Sequence, residues 1–245
     1  MKKKLFYFLL FLSINNIYSF EKKIIQSGIE NTIENTNSQI NEIYQNDKMF
    51  HFIVEENDLI NKKIYKNDIY FYQNSLNVEI FESDKLLYHY IFREGNFYQI
   101  VNNKKKLIKN QNVINGSFFS FWWNVLNIHN IKNISEVNDT YICEIEQESL
   151  LIKLLLDQYF SISQLEINSN RNIIRYKITS NLKLGQTDIY FPEHMYIYLD
   201  SIAVKENKIL LGEILLLDES RFDLSRYKKF RLIEDIIDFY NQAYR

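Results

Sequence analysis

The residues of this chain that could carry acid–base, nucleophilic or metal chemistry are four histidines, one cysteine and 31 carboxylates. Their placement supports none of these. His51, His89, His129 and His194 stand far apart, with no His-x-x-x-His pair and no carboxylate–histidine cluster at ligand spacing. Cys143 alternates with Tyr141 and Ile145, so it reads as a small buried residue of a strand rather than a reactive thiol. Alone, it can form neither an internal disulfide nor a structural zinc site. Neighbouring carboxylates such as Glu55 and Glu56 point to opposite sides of a strand and read as surface residues, and Asp84, Asp157 and Asp188 fall beside turns. The chain has no Gly-x-Ser-x-Gly elbow and no glycine-rich phosphate loop. The sequence therefore predicts no catalytic residues, no metal and no cofactor: the protein is not an enzyme.

What remains is apolar recognition. The chain holds 18 Tyr and 18 Phe, and its net charge of −2 argues against a nucleic-acid partner. From Lys48 the hydrophobic period is two. Phe50, Phe52 and Val54 share one face; Tyr88, Tyr90 and Phe92 share another; Met195, Ile197 and Leu199 share a third. The segment Leu86–Phe92, the turn Arg93–Asn96 and the segment Phe97–Val101 form the clearest hairpin. Both of its faces are apolar, as in a sheet covered on both sides or a concave face lined for a ligand. Between Gly116 and Ile131 the period changes. Phe118, Phe121 or Trp122, Val125 and Ile128 recur at helical spacing, and Phe119, Trp123 and Leu126 widen the stripe. That segment reads either as a helix plugging the core or as a lid whose apolar face meets a ligand.

Elements must position these residues. Met1–Ser19, with Lys2 to Lys4 ahead of the apolar run Leu5–Leu12, reads as a signal peptide cleaved before Phe20. Ile29, Ile33, Ile40, Ile43 and Tyr44 predict an amphipathic helix. Lys104–Lys106 reads as a solvated turn that blunts a sheet edge. Asn172–Ser225 organises the remainder as a β-meander, with Lys205–Lys208 read as a tight turn and Pro192 near the start of its strand. Asn fills turn positions that Gly, present only five times, would ordinarily take. Arg226–Tyr244 carries a further helical pattern through Tyr227, Phe230, Ile233, Ile237, Tyr240 and Tyr244, a C-terminal helical extension over 226–245.

An Arg-Tyr strand that contains Tyr176, a turn, a Phe191-Pro192 pair opening an apolar strand, and an aliphatic strand closing on Phe222-Asp223 resemble the last third of the LolA and LolB family of periplasmic lipoprotein carriers. The resemblance implies an α+β fold over 20–225, mainly β: a curled antiparallel sheet forming a half-open barrel with helices over its mouth. It implies a periplasmic, monomeric carrier that takes acylated lipoproteins from an inner-membrane release transporter toward an outer-membrane acceptor. The lining expected from it is Phe50, Phe52, Tyr88, Tyr90, Phe92, Met195, Ile197 and Leu199, with Phe118, Phe121, Trp122 and Leu126 from the lid. Such carriers tie barrel to lid with an early-strand arginine. The first arginine here is Arg93, leaving Lys62 or Lys63 as substitutes without the planar fork. The other reading is a lipid-sensing or protein-interaction module of the same fold that carries no cargo.

Overall fold

The computed structural model describes residues 27–28, 31, 34–73, 75–94, 96–108, 131–147, 150–157, 162–168 and 173–229. Alternating apolar residues become strands and the polar breaks become turns. The first half forms β1 (Lys48–Asp58), β2 (Lys63–Tyr72), β3 (Ser75–Glu82), β4 (Lys85–Arg93), β5 (Asn96–Val101) and β6 (Lys104–Ile108). The second forms β7 (Ile131–Val137), β8 (Thr140–Gln147), β9 (Leu150–Leu156), β10 (Ile162–Asn168), β11 (Ile173–Lys183), β12 (Tyr190–Leu199) and β13 (Ile202–Leu216). Three hairpin turns, at Ser83–Asp84, Asn102–Asn103 and Asn138–Asp139, hold both central residues at positive φ. This backbone matches the right-handed strand twist, and short polar side chains tolerate it when glycine is scarce.

Each half is an antiparallel meander, and the two are joined where β1 pairs with β13. With a last short strand, β14 (Lys228–Lys229), the result is one sheet in the order β14-β6-β5-β4-β3-β2-β1-β13-β12-β11-β10-β9-β8-β7. It does not close on itself: β6 and β7, which the chain connects through residues 109–130, lie toward opposite ends of that order. One face carries a continuous core from Phe50, Phe52 and Leu76 across to Leu165, Cys143 and Ile134. Helical residues 34–45 cover part of it, burying Ile40 and Ile43 and setting the Tyr44 ring edge-on to Phe50 at 5.8 Å. Gly212 makes room for Leu182 and Leu184 on the same face, because a Cβ there would stand 2.9 Å from Leu182 and 3.1 Å from Leu184. The Asp188 backbone N–H donates to Gln39 Oε1 and ties the β11–β12 connection to the helix.

The opposite, convex face is crossed by the chain after β13. Asp218 caps a 3-10 turn at Glu219–Arg221, and Phe222 is buried with Met49 and Tyr70. Asn77 Nδ2, Arg93 Nη1 and Lys105 Nζ donate to the carbonyls of Arg221, Phe222 and Leu224, drawing the strap across β3, β4 and β6. It ends in β14 (Lys228–Lys229), which pairs in parallel with β6.

Three expectations change. Lys104–Lys106 is the start of β6, not a turn; the turn is Asn102–Asn103, whose left-handed backbone reverses the chain two residues earlier. Lys205–Lys208 is the middle of β13, and the reversal falls at Asp200, φ 56°, just ahead of it. Residues 226–229 form a turn and a strand rather than the start of a helix, because the strap's hydrogen bonds commit the backbone to the edge of β6. The rest of the C-terminal extension, the signal segment and the 109–130 stretch lie outside the described residues.

Candidate functional site

Register places the expected lining on one surface. Phe92, Leu76, Phe71, Phe50 and Ile214 form one row across β4, β3, β2, β1 and β13. Tyr90, Val78, Ile69, Phe52 and Gly212 form the next, and Tyr88, Ile80, Asn67, Val54 and Ile209 the one after. Met195 and Ile197 continue the same face through β12, opposite Ile178 and Tyr176 of β11. The parity read from the sequence thus brings Phe50, Phe52, Tyr88, Tyr90, Phe92, Met195 and Ile197 to the concave side, with Leu199 at the end of its strand. Phe118, Phe121, Trp122 and Leu126 lie outside the described residues.

Burial divides these residues into two groups. Phe50, Phe52, Met195 and Ile197 are fully packed, with Phe191 tilted against Phe52 at 4.6 Å. Tyr88 is 46% exposed and Leu199 41% exposed. Tyr90 is half-buried with its ring stacked on Tyr88. Accessible apolar surface therefore lies toward the end of the concavity away from the helix, where Leu59, Ile60 and Ile202 are also exposed.

Toward that same end the face turns polar in its central strands. Glu56 and Asn207 face each other across β1 and β13, followed by Asp58 opposite Lys205. Lys205 Nζ donates to Glu56 Oε1 at 2.7 Å, and the Glu56 side chain is only 12% exposed. Glu56 is thus not the surface residue its sequence suggests. Asn207 is 2% exposed, and neither its amide nitrogen nor its amide oxygen has a hydrogen-bond partner. A turn at Lys205–Lys208 would have placed Lys205 and Asn207 away from β1, where the strand instead sets them opposite Asp58 and Glu56. The usable signal was the turn-forming Asp200 upstream, from which alternation carries Asn207 and Ile209 to one side.

The histidines with unusual surroundings sit on the convex face. His51 places Nε2 2.8 Å from Asp68 and Nδ1 2.8 Å from Glu213, with its ring stacked on Tyr70. The Arg221 guanidinium also lies over the Tyr70 ring, 4.1 Å from its centroid. Burial, with the Arg226 guanidinium nearby, pushes His89 down to about 4. Thr179 Oγ1, His194 and Glu206 line up at 2.8 Å and 2.7 Å, a hydroxyl–imidazole–carboxylate series. The Thr179 hydroxyl is exposed and also bonds the His194 carbonyl, and Glu206 is shared with Asn57 and Tyr196. The series thus ties β11, β12 and β13 together, with Asn57 of β1 joined through Glu206. Burial raises the Cys143 thiol to about 12, which suits an inert core residue. Lys63, the candidate latch, pairs with Glu82 at 3.0 Å, and Arg93 serves the strap. Among the described residues no group of three ligating side chains could hold a metal, and no helix is long and apolar enough to cross a membrane.

A long antiparallel sheet, curled around an apolar face and left open, defines the LolA-like fold, and comparison with solved structures agrees. A LolA superfamily protein from Nitrosomonas europaea superposes with a TM-score of 0.51 at 12% identity, covering 77% of this chain and 97% of its own. A domain assigned to outer membrane lipoprotein sorting, from Vibrio parahaemolyticus, gives 0.55 at 9% identity over 80% and 97%. A DUF1329 family protein from Desulfovibrio piger gives 0.51 at 10% over 83% and 98%. No family model and no curated protein matches the sequence. The likeness is one of fold.

Proposed function

We propose that the concave face binds acyl chains and that the protein is a periplasmic carrier of lipoproteins. The observation that supports this is the row structure of the concavity: apolar from Phe92 to Ile214, then ending in exposed Tyr88 and Leu199 beside an open sheet. An acyl chain gains about 0.8 kcal/mol for each methylene kept from water, so a lipid anchor leaves its membrane only into such a surface. Packed Phe50 and Phe52 under the helix give the chain's own side chains a competing claim on the deeper apolar surface. That competition favours release as well as uptake. Signal-directed export, an inner-membrane release transporter as donor, an outer-membrane acceptor and action as a monomer complete the reading.

Fluorescent fatty-acid uptake tests it. Tyr88→Glu and Tyr90→Glu are expected to weaken uptake at least ~10-fold, since a charge in the path costs more than a lost contact. Leu107→Glu, on the other face of β6, should leave uptake unchanged. Absence of uptake by the unaltered protein would overturn the carrier. The packing of Phe50, Phe52, Met195 and Ile197 would then favour an interaction module with a filled core.

A further inference from the structure

The carboxamide of Asn207 has no partner in the place where a hydrogen bond matters most. It is 2% exposed, stands in the middle of β13, and shares the concave face with Met195 opposite on β12 and Glu56 opposite on β1. Asparagine is disfavoured inside strands. Leaving a buried polar group unpaired costs about 1–3 kcal/mol, and here both the donor and the acceptor are unpaired. A leucine or valine would fill the same position without that cost, as Ile209 does two residues on. The neighbouring charges do not relieve it: Lys205 and Glu56 bond each other at 2.7 Å, and neither bonds the Asn207 amide.

Resting on the carrier reading, we propose that Asn207 is the hydrogen-bonding point for the carbonyl of an acyl ester or amide, the first polar group at the end of a buried chain. The amide nitrogen would donate to that carbonyl, and the amide oxygen could accept from an acyl amide N–H. Position and charge support this class of ligand. Asn207 lies where the concave face changes from apolar rows to polar residues, which is where an acyl chain ends and its linkage begins. Two carboxylates, Glu56 and Asp58, stand beside the single ammonium of Lys205, so the surroundings suit a neutral carbonyl better than a free carboxylate, which would meet Glu56.

The test is displacement of a bound fluorescent fatty acid by N-methyl lauramide and by dodecane, which share a chain and differ in the carbonyl. Asn207→Leu is expected to weaken displacement by the amide ~10-fold, the upper end of one hydrogen bond's net worth, and to leave dodecane unchanged. The thermal midpoint of the free protein should rise by about 2 °C as the unpaired group is removed. Equal effects on both ligands, no effect on the amide, or a midpoint lowered by several degrees would each overturn the assignment, the last by showing that Asn207 is a structural strut. Asn207→Thr, which keeps one hydroxyl in a residue suited to strands, carries the same comparison if the leucine variant does not fold. Unaltered protein from which neither ligand displaces the probe would sink the carrier reading itself. Displacement by both ligands with no selective loss in the variants would sink only the role of Asn207.

Discussion

At the scale of single residues, the two buried histidines of the convex face have different neighbours. His51 is held between two carboxylates, and Asp68 and Glu213 would face each other without it. His51→Leu should cost about 2 kcal/mol in urea unfolding, the worth of hydrogen bonds to charged groups. His89 is held neutral by burial and by Arg226, with a folded value of about 4 against the ordinary 6.5. Between those values the unfolded chain binds the proton and the folded one does not. The stability contribution is therefore fully present above pH 6.5 and lost as pH falls toward 4, by up to about 3 kcal/mol. Glu79 opposes this at the acidic end, since burial and Asp68 hold its carboxyl above the usual range and the folded state then keeps its proton longer. Denaturant midpoints measured across that window should fall for the unaltered protein and flatten for His89→Gln.

At the scale of elements, the strap and the helix decide how the sheet is covered. The strap's anchor is Phe222, and Phe222→Ala should cost about 3 kcal/mol, chiefly through the cavity left beside Met49 and Tyr70. On the concave side Leu182, Leu184 and Phe52 come close over residue 212 because it lacks a side chain. Gly212→Ala should cost about 1–2 kcal/mol by overpacking against Leu182, Leu184 and Phe52, readable in the same unfolding experiment. Strand identity and facing were legible in the sequence from Phe50, Tyr88 and Met195 because alternation is local. Turn positions were less so: three lysines and a Lys-Glu-Asn-Lys run look like solvated turns, yet their long stems suit strands whose neighbours supply acceptors, as the Leu224 carbonyl does for Lys105 and Glu56 for Lys205. The strap was not legible at all, because the tyrosine period after Arg226 is helical and only Asn77, Arg93 and Lys105, far back in the chain, redirect the backbone.

At the scale of the molecule, the architecture is two meanders fused by one long pairing. β1 has strand neighbours on both sides along its length, and β13 joins it over residues 48–58. The outer strands β6 and β7 are short and stand at or next to the ends of the sheet. Amide exchange should accordingly be slowest in β1 and β13 and fastest in β7 and β14, with exchange of the two halves converging only under conditions that unfold the whole chain. Uniform protection across the sheet would show that the halves do not open separately.

The sequence by itself determined the class of fold, the absence of local catalytic motifs, and which side chains share each strand face, since all three follow from composition and a two-residue period. Only the tertiary structure decided which face is concave, which of its residues the helix has already buried, and where its polarity changes. Those outcomes depend on partners distant in sequence: Lys205 reaches Glu56 across 149 residues of chain, and Asn207 becomes a buried, unpaired amide only when β13 closes onto β1.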